Sequence, residues 1–333
     1  MSKTKTAVFH QKTIMEGIAE AEQSKNKQHK IGWLNLPGYK GESWNPIIGC
    51  SKVSAGCKNC YAIPMARRIA GMERKRGIID YHATLMVDKN NIARDWNGFT
   101  FFRKDHLVKP ASWKKPRLVF VCSMGDLFHE GHLFEWINAV FSVMADNDQH
   151  IFIVLTKRPQ RMVEFYWWKQ QEHGIPWEPS ENVWMGVTAE NQQEANNRLH
   201  HLNNIPAAVK FVSIEPMLSP ISFETALGHT LKWHAGGLKN CLSWVIVGGE
   251  TSHNARPMHP YWVRSLASQC KTANVPFFFK QWGEWKPEGT IINYNFLNPK
   301  REKVAGTDVM VKVGRKQAGN LLDGVQYEEY PKF

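Results

Sequence analysis

No run of apolar residues in the 333-residue chain approaches the ~20 that a helix needs to cross a bilayer. The opening stretch MSKTKTAVFHQKTIMEGIAEAEQ also lacks the apolar segment of a secretory signal. Together these absences lead us to expect a cytoplasmic protein with no membrane partner. Cysteine is scarce: six residues, too few for a disulfide framework in a chain this long. No G-x-G-x-x-G follows the first apolar run, which disfavours a dinucleotide-binding sheet. Acidic residues are in deficit, 30 against 42 Lys and Arg, and the net charge of +12 makes a polyanion, nucleic acid first, the expected partner.

What is plentiful is apolar and aromatic. A hydrophobic content of 43% excludes wholesale disorder, and fourteen tryptophans with seventeen phenylalanines suit a large core or surfaces on which bases stack. Residues 1–40 read as a polar arm with a short helical stretch at Thr13–Gln23. AIPMARRIAGMERKR, Ala62–Arg76, has helical spacing of Met65, Ile69 and Met72 beside an arginine-rich face. Residues 80–116 read as an irregular basic insertion carrying Trp96, Phe101, Phe102 and Trp113. Cations for phosphates interleaved with rings for bases, over Arg67–Arg76 and Arg103–Arg117, is the footprint of a nucleic-acid surface. Residues 286–333 form a C-terminal extension in which VMVKVG and NLLDG suggest a small hairpin.

From Arg117 onward short apolar runs recur: RLVFVCSMGD, IFIVLTKRP, NVWMGVTAEN, VKFVSIEPM, WVIVGGE and PFFFKQWGE. Their cores do not alternate with polar residues, as expected of strands buried on both faces of a parallel sheet. Segments such as Leu133–Ala145 and His259–Ala273 are long enough for crossover helices. With a first strand at Ser43–Gly49 there are seven strands. The expected fold is α/β, a partial or full (β/α) TIM-type barrel over residues 41–285. Asp126, the triplet Thr156-Lys157-Arg158, Thr188 with Glu190, Glu215, Glu250, and Lys280 with Gln281 all fall just past an apolar run. In a barrel those positions ring one mouth, where active sites lie.

The motif GCSKVSAGCKNCYA holds Cys50, Cys57 and Cys60 within eleven residues, with no fourth cysteine beside them. A structural zinc site wants four ligands, which a distant histidine would have to complete. A redox C-x-x-C would use Cys57 and Cys60 and leave Cys50 without a task. In a [4Fe–4S] cluster three protein thiolates leave one iron open for a bidentate small molecule, and the amino and carboxylate groups of S-adenosylmethionine suit it. Gly49 and Gly56 would let the backbone bend around inorganic sulfide.

The segments WNPIIGCSKVSAGCKNCYA, VFVCSMGDLF, LTKRP, NVWMGVTAEN, FVSIEPML, WVIVGGE and PFFFKQWGEW resemble, in this order, the phage-associated three-cysteine-motif family, itself similar to radical S-adenosylmethionine enzymes. The first cysteine gap is six here, against three in the commonest pattern of that superfamily, and the aromatic Tyr61 follows the last cysteine where that pattern has one just before it. The resemblance implies that Cys50, Cys57 and Cys60 hold a [4Fe–4S] cluster and that a reducing donor such as flavodoxin supplies the electron. It implies Ser123, Gly125 and Asp126 at the methionine amino group, Lys157 or Arg158 at its carboxylate, and Thr188 and Glu190 at the ribose. Gly248 and Gly249 would admit adenine or substrate beside Glu250, while Glu215, Lys280, Gln281 and Trp282 would face the substrate, the first three as catalytic residues. The implied activity is radical chemistry of isomerase or lyase type, directed at a phage DNA base derived from thymine, in the host cytoplasm. Two other readings compete: a non-catalytic, zinc-stabilised nucleic-acid-binding protein, and a Mg²⁺ hydrolase needing Asp126, Glu190, Glu215 and Glu250 clustered.

Overall fold

A computed structural model describes residues 29–89, 93–174, 177–290, 300–304 and 308–332. The helical stretch expected at Thr13–Gln23 lies outside the described residues. Seven strands form one sheet: β1 (Lys40–Trp44), β2 (Arg117–Val121), β3 (Ile151–Thr156), β4 (Val183–Thr188), β5 (Lys210–Ile214), β6 (Trp244–Gly248) and β7 (Phe277–Gln281). Their spatial order is their order in the chain and every pairing is parallel. The sheet curls into a half-barrel whose edge strands, β1 and β7, do not pair, so of the two forms expected from sequence it is the partial barrel that is found.

The absence of alternation in the apolar runs has a direct cause. Phe120, Ile151, Ile153, Trp184, Phe211, Trp244 and Phe278 fill the concave face, while Val119, Val121, Phe152, Val154, Met185, Val212, Val245 and Phe279 face the helices, so β2 to β7 are dry on both sides. The covering helices are α2 (Phe134–Ala145), α3 (Pro159–His173), α4 (Gln192–Asn203) and α5 (Pro260–Ala273). Asn191 caps α4 by accepting the Glu194 amide at 3.0 Å, and α5 ends on Asn274 in the left-handed conformation.

The open side of the curl is filled by residues 33–34 and 327–330. Trp33 and Leu34, counted with the polar arm on sequence grounds, are buried in the concave core, where Trp33 meets Phe120 and Trp244 edge-on at 5.0 and 6.3 Å. At the other end Glu328 bridges antiparallel to Phe278, Phe279 donates its amide to Tyr327 O at 2.9 Å, and Tyr330 packs on Trp244 and Phe278. That segment covers the β7 edge. NLLDG makes the expected hairpin, Leu321–Leu322 against Val325–Gln326, turning on Asp323 and Gly324, both at positive φ.

The first sheet strand is Lys40–Trp44, not Ser43–Gly49. Ile47–Ile48 instead leaves the sheet and pairs with Phe101–Phe102 of the insertion. The insertion carries a second short pairing, Leu85–Val87 with Ala93–Trp96, and with α1 (Ala62–Arg74) it forms a satellite core of Ile48, Ala66, Ala70, Tyr81, Leu85, Trp96 and Met124.

Candidate active site at the barrel mouth

The cysteine loop, residues 49–60, crosses the end of the sheet where the strands leave their carbonyls. It is tied down at three places: by backbone and neutral side chains of the turn after β2, by Arg158 after β3, and by carboxylates after β4 and β6. At its start, Gly49 (φ +90°) donates to Met124 O at 3.2 Å and forms a parallel bridge with Gly125. A β-carbon on Gly125 would lie 2.8 Å from Gly49 O, so glycine is required for this approach. Asn45 Oδ1 accepts from the Met124 amide and the Ser123 hydroxyl, and Ser123 O accepts from Tyr61 Oη at 2.7 Å.

The second tie is Arg158, whose side chain is 4% exposed. Its Nη1 meets Asp126 Oδ2 at 3.1 Å and Cys50 Sγ at 3.7 Å, its Nη2 donates to Ser51 O and Oγ at 3.0 and 2.8 Å, and its Nε to Glu130 at 2.7 Å. Asp126 also accepts from Thr156 Oγ1 and the Lys157 amide. Burial alone would raise its pKa, but Arg158, Thr156 and the backbone amides outweigh burial and hold the carboxyl below its ordinary value. Burial pushes the Cys50 thiol up to about 12, Asp126 adding to the rise and Arg158 opposing it. Ser51 Oγ also lies 2.9 Å from His129 Nε2, and because the Gly131 amide donates to Nδ1, Nε2 carries the proton and Ser51 accepts it. Burial, then Arg158, holds His129 down to about 4, so it is neutral and is not a base for Ser51.

The third tie has two arms. Glu190, fully buried and paired with Arg198 at 3.0 Å, accepts the Gly56 amide at 3.0 Å. Glu250, paired with Arg256, accepts from Asn59 Nδ2 at 2.9 Å. The three cysteines of this loop are half-buried and free of disulfide.

The residues expected at the mouth are therefore brought to one end of the sheet, and most are engaged with protein. Glu190 and Glu250 brace the cysteine loop directly, and Asp126 does so through Arg158. Thr188 is buried with its carbonyl on Arg198 at 2.7 Å. Gly249 packs under Trp282 O, which a β-carbon would approach to 2.0 Å, and Gly248 lies beneath the Glu215 carboxylate. Facing the mouth, Lys280 Nζ spans both Glu215 oxygens at 2.7 and 2.8 Å, with Gln281 Nε2 at 3.4 Å. Among the described residues no three His, Cys, Asp or Glu side chains converge as ligands of a single ion. The four carboxylates of the hydrolase reading are parted, each on its own cation: Arg158, Arg198, Lys280 and Arg256.

Sequence reasoning missed Asn45, Ser51, His129, Glu130, Arg198 and Arg256. Glu190, Glu194 and Arg198 stand at successive four-residue steps, a signal available in the sequence, and both carboxylates reach the arginine. The basic footprint divides in two. Arg103 is paired with Glu73 and Asp80, Arg117 with Glu42 while stacked on Trp113, and Trp96 is buried. On α1, by contrast, Arg67, Arg68 and Arg74 are exposed and, with Lys75 and Arg76 beyond it, make no ion pair among the described residues, while its one acid, Glu73, is turned inward.

The fold and site define a parallel α/β half-barrel that carries a braced three-thiol loop at its mouth. The chain belongs to the family described as "Protein of unknown function (DUF5131)", whose match covers residues 30–331. No curated protein and no solved structure matches it. Among the described residues no helix is long and apolar enough to cross a membrane.

Proposed function

We propose that this protein is a radical S-adenosylmethionine enzyme, in line with the motif resemblance to the phage-associated three-cysteine-motif family. The observation that carries the reading is the cysteine loop: three free, half-buried thiols held at the barrel mouth by braces from three strand ends. The donor set suits a multi-iron centre: three free thiols on one loop match a [4Fe–4S] cubane with one iron left open, and Arg158 Nη1 offers an N–H toward Cys50 Sγ at 3.7 Å. A bound [4Fe–4S] cluster would supply the electron for reductive cleavage of a carbon–sulfur bond in S-adenosylmethionine, itself recharged by a flavodoxin-like donor.

The chain's own residues would then bind and orient. Cys50, Cys57 and Cys60 hold the cluster. Arg158 spends every N–H on protein, so the methionine carboxylate falls to Lys157, which is half-exposed at the same strand end. Glu215, Lys280 and Gln281 face the substrate. The substrate class is nucleic acid: α1, which starts two residues after Cys60, carries cations that are unpaired among the described residues, and a helix with a cationic face fits the major groove of DNA, from which a flipped base would reach the mouth. Modification of a thymine-derived phage DNA base, in the host cytoplasm, is the specific reaction we favour.

The test is anaerobic purification with iron and sulfide analysis, followed by an assay for 5′-deoxyadenosine under reducing conditions. Cleavage should be lost in the Cys50→Ala, Cys57→Ala and Cys60→Ala variants and kept in variants of Cys122, Cys241 and Cys270, which are buried in the core. A colourless preparation with one zinc per chain overturns the proposal.

A further inference from the structure

We infer that Arg158 tunes the iron–sulfur centre, making it easier to reduce, rather than binding the substrate's carboxylate; this rests on the cluster reading above. A guanidinium has five N–H groups. Here Nε serves Glu130, Nη1 is shared between Asp126 and Cys50 Sγ, and Nη2 serves the Ser51 carbonyl and hydroxyl, so none is left for a ligand. The side chain is 4% exposed, so its charge acts on Cys50 through protein rather than through screening water.

A cluster held by thiolates is anionic, and reduction adds one more negative charge. A buried cation donating toward a ligating sulfur stabilises the reduced form more than the oxidised one and raises the potential. The partners set the size of the effect. Asp126, 7% exposed, offsets part of the positive charge from within, whereas Glu130, 62% exposed, does so from water and counts for less. Ser51, held between Arg158 and His129, fixes the backbone next to Cys50 and keeps the sulfur in reach of Nη1.

The experiment uses the full chain, reconstituted anaerobically with iron and sulfide and titrated with dithionite while the reduced cluster is followed by electron paramagnetic resonance. The Arg158→Lys variant keeps a charge but loses the fork, so its midpoint should move to more negative potential at unchanged iron content. Asp126→Asn leaves Arg158 in place and removes its buried counter-charge, so its midpoint should move the opposite way. Midpoints equal to wild type in both variants overturn the inference while leaving the cluster intact. Should Arg158→Lys hold no cluster, Asp126→Asn decides: an unchanged or more negative midpoint overturns the inference. A wild-type chain that takes up no iron overturns the cluster reading itself, and this inference with it.

Discussion

The Glu190 carboxylate lies against the α-carbon of Gly56: it accepts the Gly56 amide at 3.0 Å, and a β-carbon built on Gly56 would stand 2.9 Å from Glu190 Cδ. Glu190 cannot yield, because Arg198 and its own burial hold it. A side chain at Gly56 must therefore move the cysteine loop. We expect Gly56→Ala to lower the iron taken up on reconstitution, while melting shifts by no more than roughly 2–4 °C, the change that ~1 kcal/mol produces. Iron analysis beside a thermal melt checks this, and wild-type iron content would count against the loop geometry.

On the basic surface, position in the fold separates two kinds of arginine. Removing Arg103, whose side chain is 13% exposed, strands Glu73 and Asp80, so Arg103→Ala should cost about 1–3 kcal/mol in denaturant unfolding and leave DNA affinity alone. The double variant Arg67→Ala/Arg68→Ala should do the reverse. Stability should hold, while DNA binding measured against salt should weaken and its log–log slope fall by about 2.

Gly186 sits mid-strand in β4, where glycine is normally unfavourable. Its reason is the Phe211 ring across the sheet, which a β-carbon would approach to 2.3 Å. Gly186→Ala should destabilise by about 1–3 kcal/mol through overpacking, and adding Phe211→Leu should recover part of that loss. Chemical denaturation of the two variants tests the pairing.

The sheet was legible in the sequence because a strand dry on both faces is an unbroken apolar run, and six strands are of that kind. β1 was misplaced for the opposite reason. As an edge strand with one neighbour it reads KGESW, its Glu42 paired with Arg117 of β2, while the apolar Ile47–Ile48 that imitates a strand serves the insertion. The mouth was legible as a set of strand ends, since a parallel barrel aligns them. What each end does was not. The partner of Asp126 lies 32 residues away and that of Gly56 lies 134 away, separations that only the register of the sheet brings together.

Lys210 opens β5 with 8% of its surface exposed, and burial, with Lys232 beside it, lowers its pKa from 10.5 to about 7. Lys232 itself donates to Asn203 O at 2.8 Å, and Cys241 only partly offsets the depression. Between about pH 7 and 10.5 the unfolded chain carries this proton and the folded chain does not, so stability rises with pH across that window. Below it both states are protonated and the cost of burying the charge is paid in full. Lys210→Met removes that cost. It should therefore be more stable than wild type at pH 6, with the advantage shrinking through pH 8 and nearly gone near pH 10. Denaturant unfolding of both proteins across this range is the check, and a gap that stays constant with pH would show that Lys210 keeps its proton in the fold as it does in the unfolded chain.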